Sequence, residues 1–174
     1  MATMLLDALK NQGTHNVSEI NSIWAKPVVN GAILTGGNLD NGLLVSLDGY
    51  DEEGNLKCKA YTGTGDMFVV QTHVEEQLQT DLGEYDYKNF YNAEGEIVRL
   101  IRVEKGLRQE TSAFVKDDAL SALTLGKPVS YDESAKQFKV LNEVVSETQI
   151  ATLVGIDTDF GYNAGKETIR IEYI

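Results

Sequence analysis

The residues of this chain that could perform nucleophilic or metal chemistry are few and widely spaced. Its 174 residues include two histidines, His15 and His73, and one cysteine, Cys58. A structural zinc site needs clustered Cys and His ligands, and nucleophilic catalysis needs a base next to the nucleophile. No spacing of these three residues meets either need. We therefore predict that the protein is not an enzyme and has no catalytic residues, no metal and no cofactor.

Carboxylate pairs are the other candidate chemistry, because glycoside hydrolysis uses two carboxyl groups on either side of the scissile bond. Such pairs occur at Glu75–Glu76, Asp117–Asp118 and Asp157–Asp159. Adjacent acids arise often in an acidic chain, so a carboxylate-pair hydrolase is kept as the lesser alternative. A calcium loop is rejected for "DGYDEEGN", since neither of its two registers places glycine and glutamate where an EF-hand loop needs them.

Aromatic side chains are concentrated in "EYDYKNFY", residues 84–91. Tyr85 and Tyr87 could stack on a sugar ring or on a partner protein. Phe90 and Tyr91 complete the cluster, and the competing interpretation is that these rings pack in the core and cover a sheet edge. A carbohydrate-binding β-module that uses these tyrosines is the first alternative function, ahead of the hydrolase.

The charge balance narrows the classes of partner. Fifteen basic and 27 acidic residues give a net charge of −12. Nucleic-acid surfaces need clustered Lys and Arg, and anionic membranes attract basic segments, so we expect neither partner. A single cysteine excludes an internal disulfide. No apolar run approaches the roughly 20 residues of a membrane span, and the N-terminus lacks the features of a signal peptide, so we expect cytoplasmic synthesis.

Residues 1–25 differ from the remainder and are predicted to form an N-terminal arm. "TMLLDALK" could form a short helix with an apolar side, and "NQGTHN" would end it. An arm without its own core is suited to docking on a partner or on a neighbouring subunit. The candidate partner-binding residues are Met4, Leu5, Leu9 and Trp24, together with the two tyrosines named above.

Four similar turns organise the chain that follows. Asp51–Gly54 and Asn92–Gly95 each open with Asp or Asn and close with Gly, which is typical of a type I turn with a left-handed glycine in a β-hairpin. Asp132–Ala135 has alanine where glycine is preferred, and Asn163–Gly165 is a shorter version. We interpret all four as hairpin corners with an architectural role.

Strand patterns surround these turns. "TIRIEYI" alternates apolar and polar residues, which predicts a half-buried strand with Ile169, Ile171 and Tyr173 inward. "QFKVL" pairs Phe138 with Val140 in the same way, and Cys58 alternates with lysines as a half-buried strand thiol. Ten strands are predicted: 28–34, 43–47, 56–61, 67–72, 97–103, 112–115, 128–131, 137–141, 151–156 and 168–174.

These patterns predict a mainly β protein, a small antiparallel barrel or sandwich built from hairpins, with an N-terminal arm and one or two short helices. The helices are predicted at "VEEQLQT", residues 74–80, and at "DDALSAL", residues 117–123. Residues 26–174 are predicted to form one β-domain, with a possible subdivision near Val115.

The order of these parts resembles a known family. Four stretches carry the likeness, from Val28 to the C-terminus: "VVNGAILTGGNLDNGLLVSLDG", "NFYNAEGEIVRLIRVEKGLRQETSAF", "LTLGKPVSYDESAKQF" and "ATLVGIDTD". Together they are similar to the small β-rich head decoration, or cement, proteins of tailed phages. The resemblance implies a homo-oligomer, with a trimer favoured, that sits on the capsid and resists its internal pressure, and it brings no catalytic residues. The expected partner is the major capsid protein, and the expected location is the outer surface of the virion.

Overall fold

The computed structural model describes residues 18–20, 28–72, 90–144, 148–157 and 167–174. Within these residues the regular structure consists of strands. They are β1 Ser18–Ile20, β2 Val28–Thr35, β3 Leu44–Tyr50, β4 Leu56–Ala60, β5 Phe68–Val70, β6 Ile97–Arg102, β7 Arg108–Thr111, β8 Phe114–Lys116, β9 Pro128–Asp132, β10 Gln137–Val140, β11 Ala151–Asp157 and β12 Thr168–Tyr173. The predicted mainly β fold is confirmed.

Five of these strands form a closed barrel in the order β2-β4-β3-β5-β6. Its neighbours pair antiparallel except β2 and β4, which run parallel. All five strands contribute to an apolar interior that includes Leu34, Val45, Val70 and Leu100. Cys58 faces this interior, as its alternation with lysines predicts, and it is fully buried where the sequence predicted a half-buried strand thiol. Burial raises the pKa of its thiol to about 11.

The other seven strands form a sheet in the order β1-β7-β12-β11-β9-β10-β8. β7 and β8 lie near opposite ends of this order, although only Ser112 and Ala113 separate them in the chain. Three peptide steps span at most about 11 Å, so the sheet must curl until β7 and β8 meet. The row from β7 to β8 is therefore bent into a ring, and β1 is an additional strand on β7.

The barrel and the curled sheet pack against each other through a second apolar cluster, separate from the barrel interior. Barrel strands β3, β5 and β6 have successive residues on opposite faces, so Leu44, Val69 and Ile101 point away from the barrel interior. These three side chains join a second apolar cluster whose other members come mainly from β9 to β12. The cluster holds Ile169, Ile171 and Tyr173 together with Phe138 and Val140, all buried, which confirms the predicted alternation of both strands.

The predicted turn at Asp51–Gly54 is confirmed in detail. The Gly54 amide donates to the Asp51 carbonyl at 3.2 Å, and Gly54 has a φ of +86°. The Asp51 carboxylate accepts from the Asn55 amide at 2.7 Å. These bonds make a type I turn with a left-handed glycine at its end, and they join β3 to β4 as a hairpin.

Two of the other three predicted turns are displaced from their predicted positions. The turn expected at Asn92–Gly95 lies at Ala93–Glu96, where the Glu96 amide donates to the Ala93 carbonyl at 3.1 Å. Asn92 does not open it, because its side chain is buried and bonded elsewhere. In the β9–β10 hairpin the left-handed residue is Lys136, with a φ of +52°, rather than Ala135. The side chain of Asp132 still opens this turn, since it accepts from the Ala135 amide at 3.0 Å.

The helix predicted at residues 117–123 is wrong. The chain makes a single turn, in which the Leu120 amide donates to the Asp117 carbonyl at 2.9 Å, and then continues irregularly. A helix this short depends on packing to overcome its nucleation cost, and Leu120 is the one buried side chain of the segment. The helix predicted at 74–80 and the turn at 163–165 lie outside the described residues.

The strand predicted at 112–115 is also displaced. The Thr111 hydroxyl accepts from the Ala113 amide at 3.1 Å, which bends the chain between β7 and β8. β7 itself, with the sequence "RQET", was missed because it lacks an apolar pattern. Three residues of the predicted arm, Ser18–Ile20, pair antiparallel with β7 of the same chain. Among the described residues, no helix is long and apolar enough to cross a membrane.

Candidate functional site

A groove of about 420 Å³ lies where the barrel meets the curled sheet. Three segments line it: residues 38–40 with Leu43 from the β2–β3 loop, residues 112–114 from the bend between β7 and β8, and residues 135–137 from the β9–β10 hairpin. Its volume falls within the range of small-molecule and peptide sites, and such sites favour the junction of two structural units.

The barrel wall of the groove is held by a buried amide network. The Asn92 side-chain nitrogen donates to the Leu39 carbonyl at 3.0 Å and to the Asn41 side-chain oxygen at 3.1 Å. Asn41 in turn exchanges two hydrogen bonds with the backbone of Thr72, at 2.9 and 3.0 Å. Leu39 and Asn92 also form an isolated antiparallel bridge. The loop is thereby fixed at both sides, and the Asn38 side-chain oxygen also accepts from the Glu94 amide at 3.0 Å.

The sheet wall is held by hydrogen bonds between its own segments. The Ala113 carbonyl accepts from the Phe138 amide at 2.9 Å, which joins the β7–β8 bend to the start of β10. Asp132 accepts from both the amide and the hydroxyl of Ser134, at 3.0 and 2.7 Å. These hydrogen bonds lower the pKa of the Asp132 carboxyl, with the bond from the Ala135 amide as the largest cause.

A chain of buried hydrogen bonds connects the sheet to the barrel beneath this region. The Tyr173 hydroxyl donates to the Gln109 side-chain oxygen at 2.7 Å, and the Gln109 side-chain nitrogen donates to the Gly42 carbonyl at 2.6 Å. Burial raises the pKa of the Tyr173 hydroxyl well above its usual value. Tyr131, which accepts from the Leu44 amide at 3.4 Å, also has a raised pKa, again chiefly through burial.

The side chains that line the groove are mostly polar, with one aromatic ring. Asn38, Ser112 and Gln137 supply amide and hydroxyl groups, while Asp40 and Lys136 supply one charge of each sign. Phe114 provides a half-buried ring. Within the described part of the chain, no group of three or more His, Cys, Asp or Glu side chains could hold a metal ion.

The structure does not test the residues that the sequence proposed for partner binding. Met4, Leu5, Leu9, Trp24, Tyr85 and Tyr87 all lie outside the described residues. Phe90 and Tyr91, the other aromatic members of the cluster, are buried. Of the carboxylate pairs, only Asp117–Asp118 is fully described, and it is half-buried at Asp117 and exposed at Asp118.

Sequence reasoning missed the groove because its walls are distant in the chain. Asp40 and Lys136 are brought together by the packing of the barrel on the sheet, which no local pattern records. The Asn-Gly corner at residues 41–42 was one available signal, since buried asparagines next to turns often bind backbone groups.

Comparison with known proteins gives two further findings. The family model described as YonC prophage protein matches residues 11–174. The chain is also similar to the SPbeta prophage-derived protein YonC of Bacillus subtilis (strain 168), with 28% identity over 182 aligned positions that cover 100% of this chain and 99% of the relative. The phage origin implied by the sequence resemblance is thereby confirmed, whereas neither name states a capsid role. The chain belongs to the YonC prophage protein family.

Proposed function

We propose that this protein is a non-enzymatic virion structural protein that binds the outside of a phage capsid and stabilises it. The observation that carries the proposal is membership of a prophage protein family over residues 11–174, in a chain with a mainly β fold. Its partner is then the major capsid protein, its location is the capsid surface, and it acts as a homo-oligomer, with a trimer favoured. Nucleic acid and membrane are not among its partners in this proposal.

The architecture supports a structural role in a particle. A closed barrel has no free strand edges, which limits unwanted strand pairing when many copies are crowded on one surface. The barrel and the sheet are joined by a shared apolar core and by the buried chain from Tyr173 through Gln109 to Gly42. Two units linked in this way resist shearing relative to each other, which a capsid-stabilising protein requires.

Two exposed apolar residues offer a way to find the attachment face. Ile97 of the barrel is 66% exposed, and Leu125, in the segment between β8 and β9 of the curled sheet, is 59% exposed. Each can be changed to Asp without opening the core. Loss of attachment in one variant and not in the other identifies which unit faces the capsid.

The test begins with quantitative mass spectrometry of purified virions from the phage that encodes this chain. The proposal expects a fixed ratio of copies per major capsid subunit. Particles are then stripped of the protein and rebound with wild type, Ile97→Asp or Leu125→Asp, and their resistance to heat is compared. Absence of the chain from virions, or stripped particles as heat-resistant as complete ones, contradicts the proposal.

A further inference from the structure

We propose that one face of the β3–β4 hairpin docks on the outer surface of the major capsid protein, in an apolar recess with a basic rim. Three side chains form this hairpin face: Leu47, Tyr50 and Leu56. The inference rests on the proposed function, and it names the surface by which the protein attaches to the capsid. Register, exposure, rigidity and charge of the hairpin support it.

The register of the hairpin puts the three side chains on one side. Leu47 pairs with Cys58 across the two strands. Tyr50 pairs with Leu56 in the same way. Directly opposed residues share a face of the sheet, and residues two apart in a strand share a face as well. Because Cys58 lies in the barrel interior and Leu56 packs against it, the hairpin face continues that apolar interior outward. There Leu47 is 39% exposed and Tyr50 is 70% exposed.

A β-bulge is what places Tyr50 on this face. Leu47 and Tyr50 are three residues apart, so a regular strand would point them to opposite sides. Here three steps along β3 oppose only two steps along β4, so β3 contains one extra residue. Gly49, with a φ of +72°, lies in this stretch, as expected of a bulge built on a left-handed glycine. Bulges re-aim side chains, and the fold gains little from this one, since the ring stays largely exposed.

The end of the hairpin is fixed before any partner binds. The Asp51 amide donates to the Asn55 carbonyl at 3.0 Å, and the Asp51 carboxylate accepts from the amide and the side chain of Asn55 at 2.7 and 2.9 Å. These bonds hold the backbone directly after Tyr50, so docking would cost little conformational entropy. Tyrosine rings presented in this way are frequent anchors of protein interfaces, because they bury a large area with few rotatable bonds.

Charge indicates the kind of surface that fits this hairpin. Three carboxylates, at residues 51–53, directly follow Tyr50 in the chain. Lys59 lies on the opposite face of the hairpin by alternation, and its ammonium is 2.7 Å from the Asp48 carboxylate. A second copy of this chain, with a net charge of −12, would be repelled by such a tip. A recess with basic residues around it attracts the carboxylates while its apolar floor takes the ring.

Rebinding of the full chain to stripped capsids tests the assignment. Particles of the phage that encodes the chain are stripped of it and immobilised, and association and dissociation rates are measured. Tyr50→Ser removes the ring from the hairpin face, and Val144→Ser is its control at another apolar residue that is 66% exposed. Glu52→Lys reverses one charge at the tip, and Asp118→Lys makes the same change at an exposed acid between β8 and β9.

The inference expects Tyr50→Ser to raise the Kd about tenfold or more, while Val144→Ser binds like wild type. Glu52→Lys should associate more slowly than Asp118→Lys. Its association rate should also depend less on salt between about 0.05 and about 0.5 M NaCl, because the attraction to a basic rim is screened.

Three results would contradict these expectations. If wild type binds and Tyr50→Ser binds equally well, the inference is overturned while the proposed function stands. If Glu52→Lys associates as fast as Asp118→Lys, the basic rim is wrong and the inference is again overturned. Failure of wild type to bind the stripped particles removes the proposed function and the inference together.

Discussion

The hydrogen-bonded chain from Tyr173 through Gln109 to Gly42 permits a quantitative test of how the two units are joined. Tyr173→Phe removes one buried hydrogen bond of 2.7 Å and should lower the free energy of unfolding by about 1–2 kcal/mol. Gln109→Leu removes both bonds and leaves the Tyr173 hydroxyl and the Gly42 carbonyl without this partner, at roughly 1–3 kcal/mol each, so the loss should be about 2–6 kcal/mol. For a chain of this size, each kcal/mol corresponds to about 2–4 °C in Tm.

Urea unfolding at neutral pH measures these losses, and Tyr50→Phe is the matched control, because Tyr50 is 70% exposed. The control should change stability by less than about 0.5 kcal/mol. In the double variant the two costs should not add, because Gln109→Leu has already broken the bond that Tyr173→Phe removes. The reasoning is refuted if Tyr173→Phe behaves like Tyr50→Phe, or if the two losses are additive.

Three further outcomes follow from other buried positions. The folded Cys58 thiol has a pKa of about 11 against an ordinary 9.0. Its contribution to the free energy of unfolding is therefore fully present below pH 9, and it falls by roughly 3 kcal/mol as the pH rises to about 11. Urea unfolding of wild type and Cys58→Ala between pH 7 and 11 should show the difference, and parallel pH profiles would contradict it. Asn92→Asp replaces the amide that donates to the Leu39 carbonyl with an acceptor. Although the two side chains are of equal size, the change should destabilise the fold by about 2 kcal/mol or more, and it should speed hydrogen exchange of the Leu39 backbone amide. An unchanged exchange rate would disprove the network. Gly155 has no left-handed φ, and Gly→Ala at such a site usually stabilises a protein. Here, however, an added Cβ would lie 2.9 Å from the Arg170 Cβ, so Gly155→Ala should lower Tm and reduce the free energy of unfolding by about 1–3 kcal/mol. A higher Tm would reject the close contact.

Strand identity was predictable wherever one face of a strand is buried. Ile169, Ile171 and Tyr173 alternate with polar residues, and alternation of this kind follows from the two-residue period of a strand. The turn at Asp51–Gly54 was predictable for a related reason, since its Asp and Gly meet local backbone requirements that do not depend on the rest of the fold. The buried position of Cys58 followed from the same alternation.

The prediction failed where long-range contacts override local preference. Asn92 has the residue type of a turn opener, but its side chain instead bonds to Leu39 and Asn41, more than 50 residues away in the chain. The segment 117–123 has helix-forming residues, yet a single buried leucine does not offset the cost of nucleating a helix. β7 has no apolar pattern, because its Gln109 and Glu110 are buried through polar partners that are distant in the chain.

The sequence by itself determined the β class, the main strand faces and the phage resemblance, because each depends on spacing along the chain. Only the tertiary structure decided that the strands form a closed barrel joined to a curled sheet, and that residues near positions 40, 113 and 136 form one groove. Closure depends on which strands pair, and pairing between segments up to about a hundred residues apart is set by the shared core rather than by any local pattern.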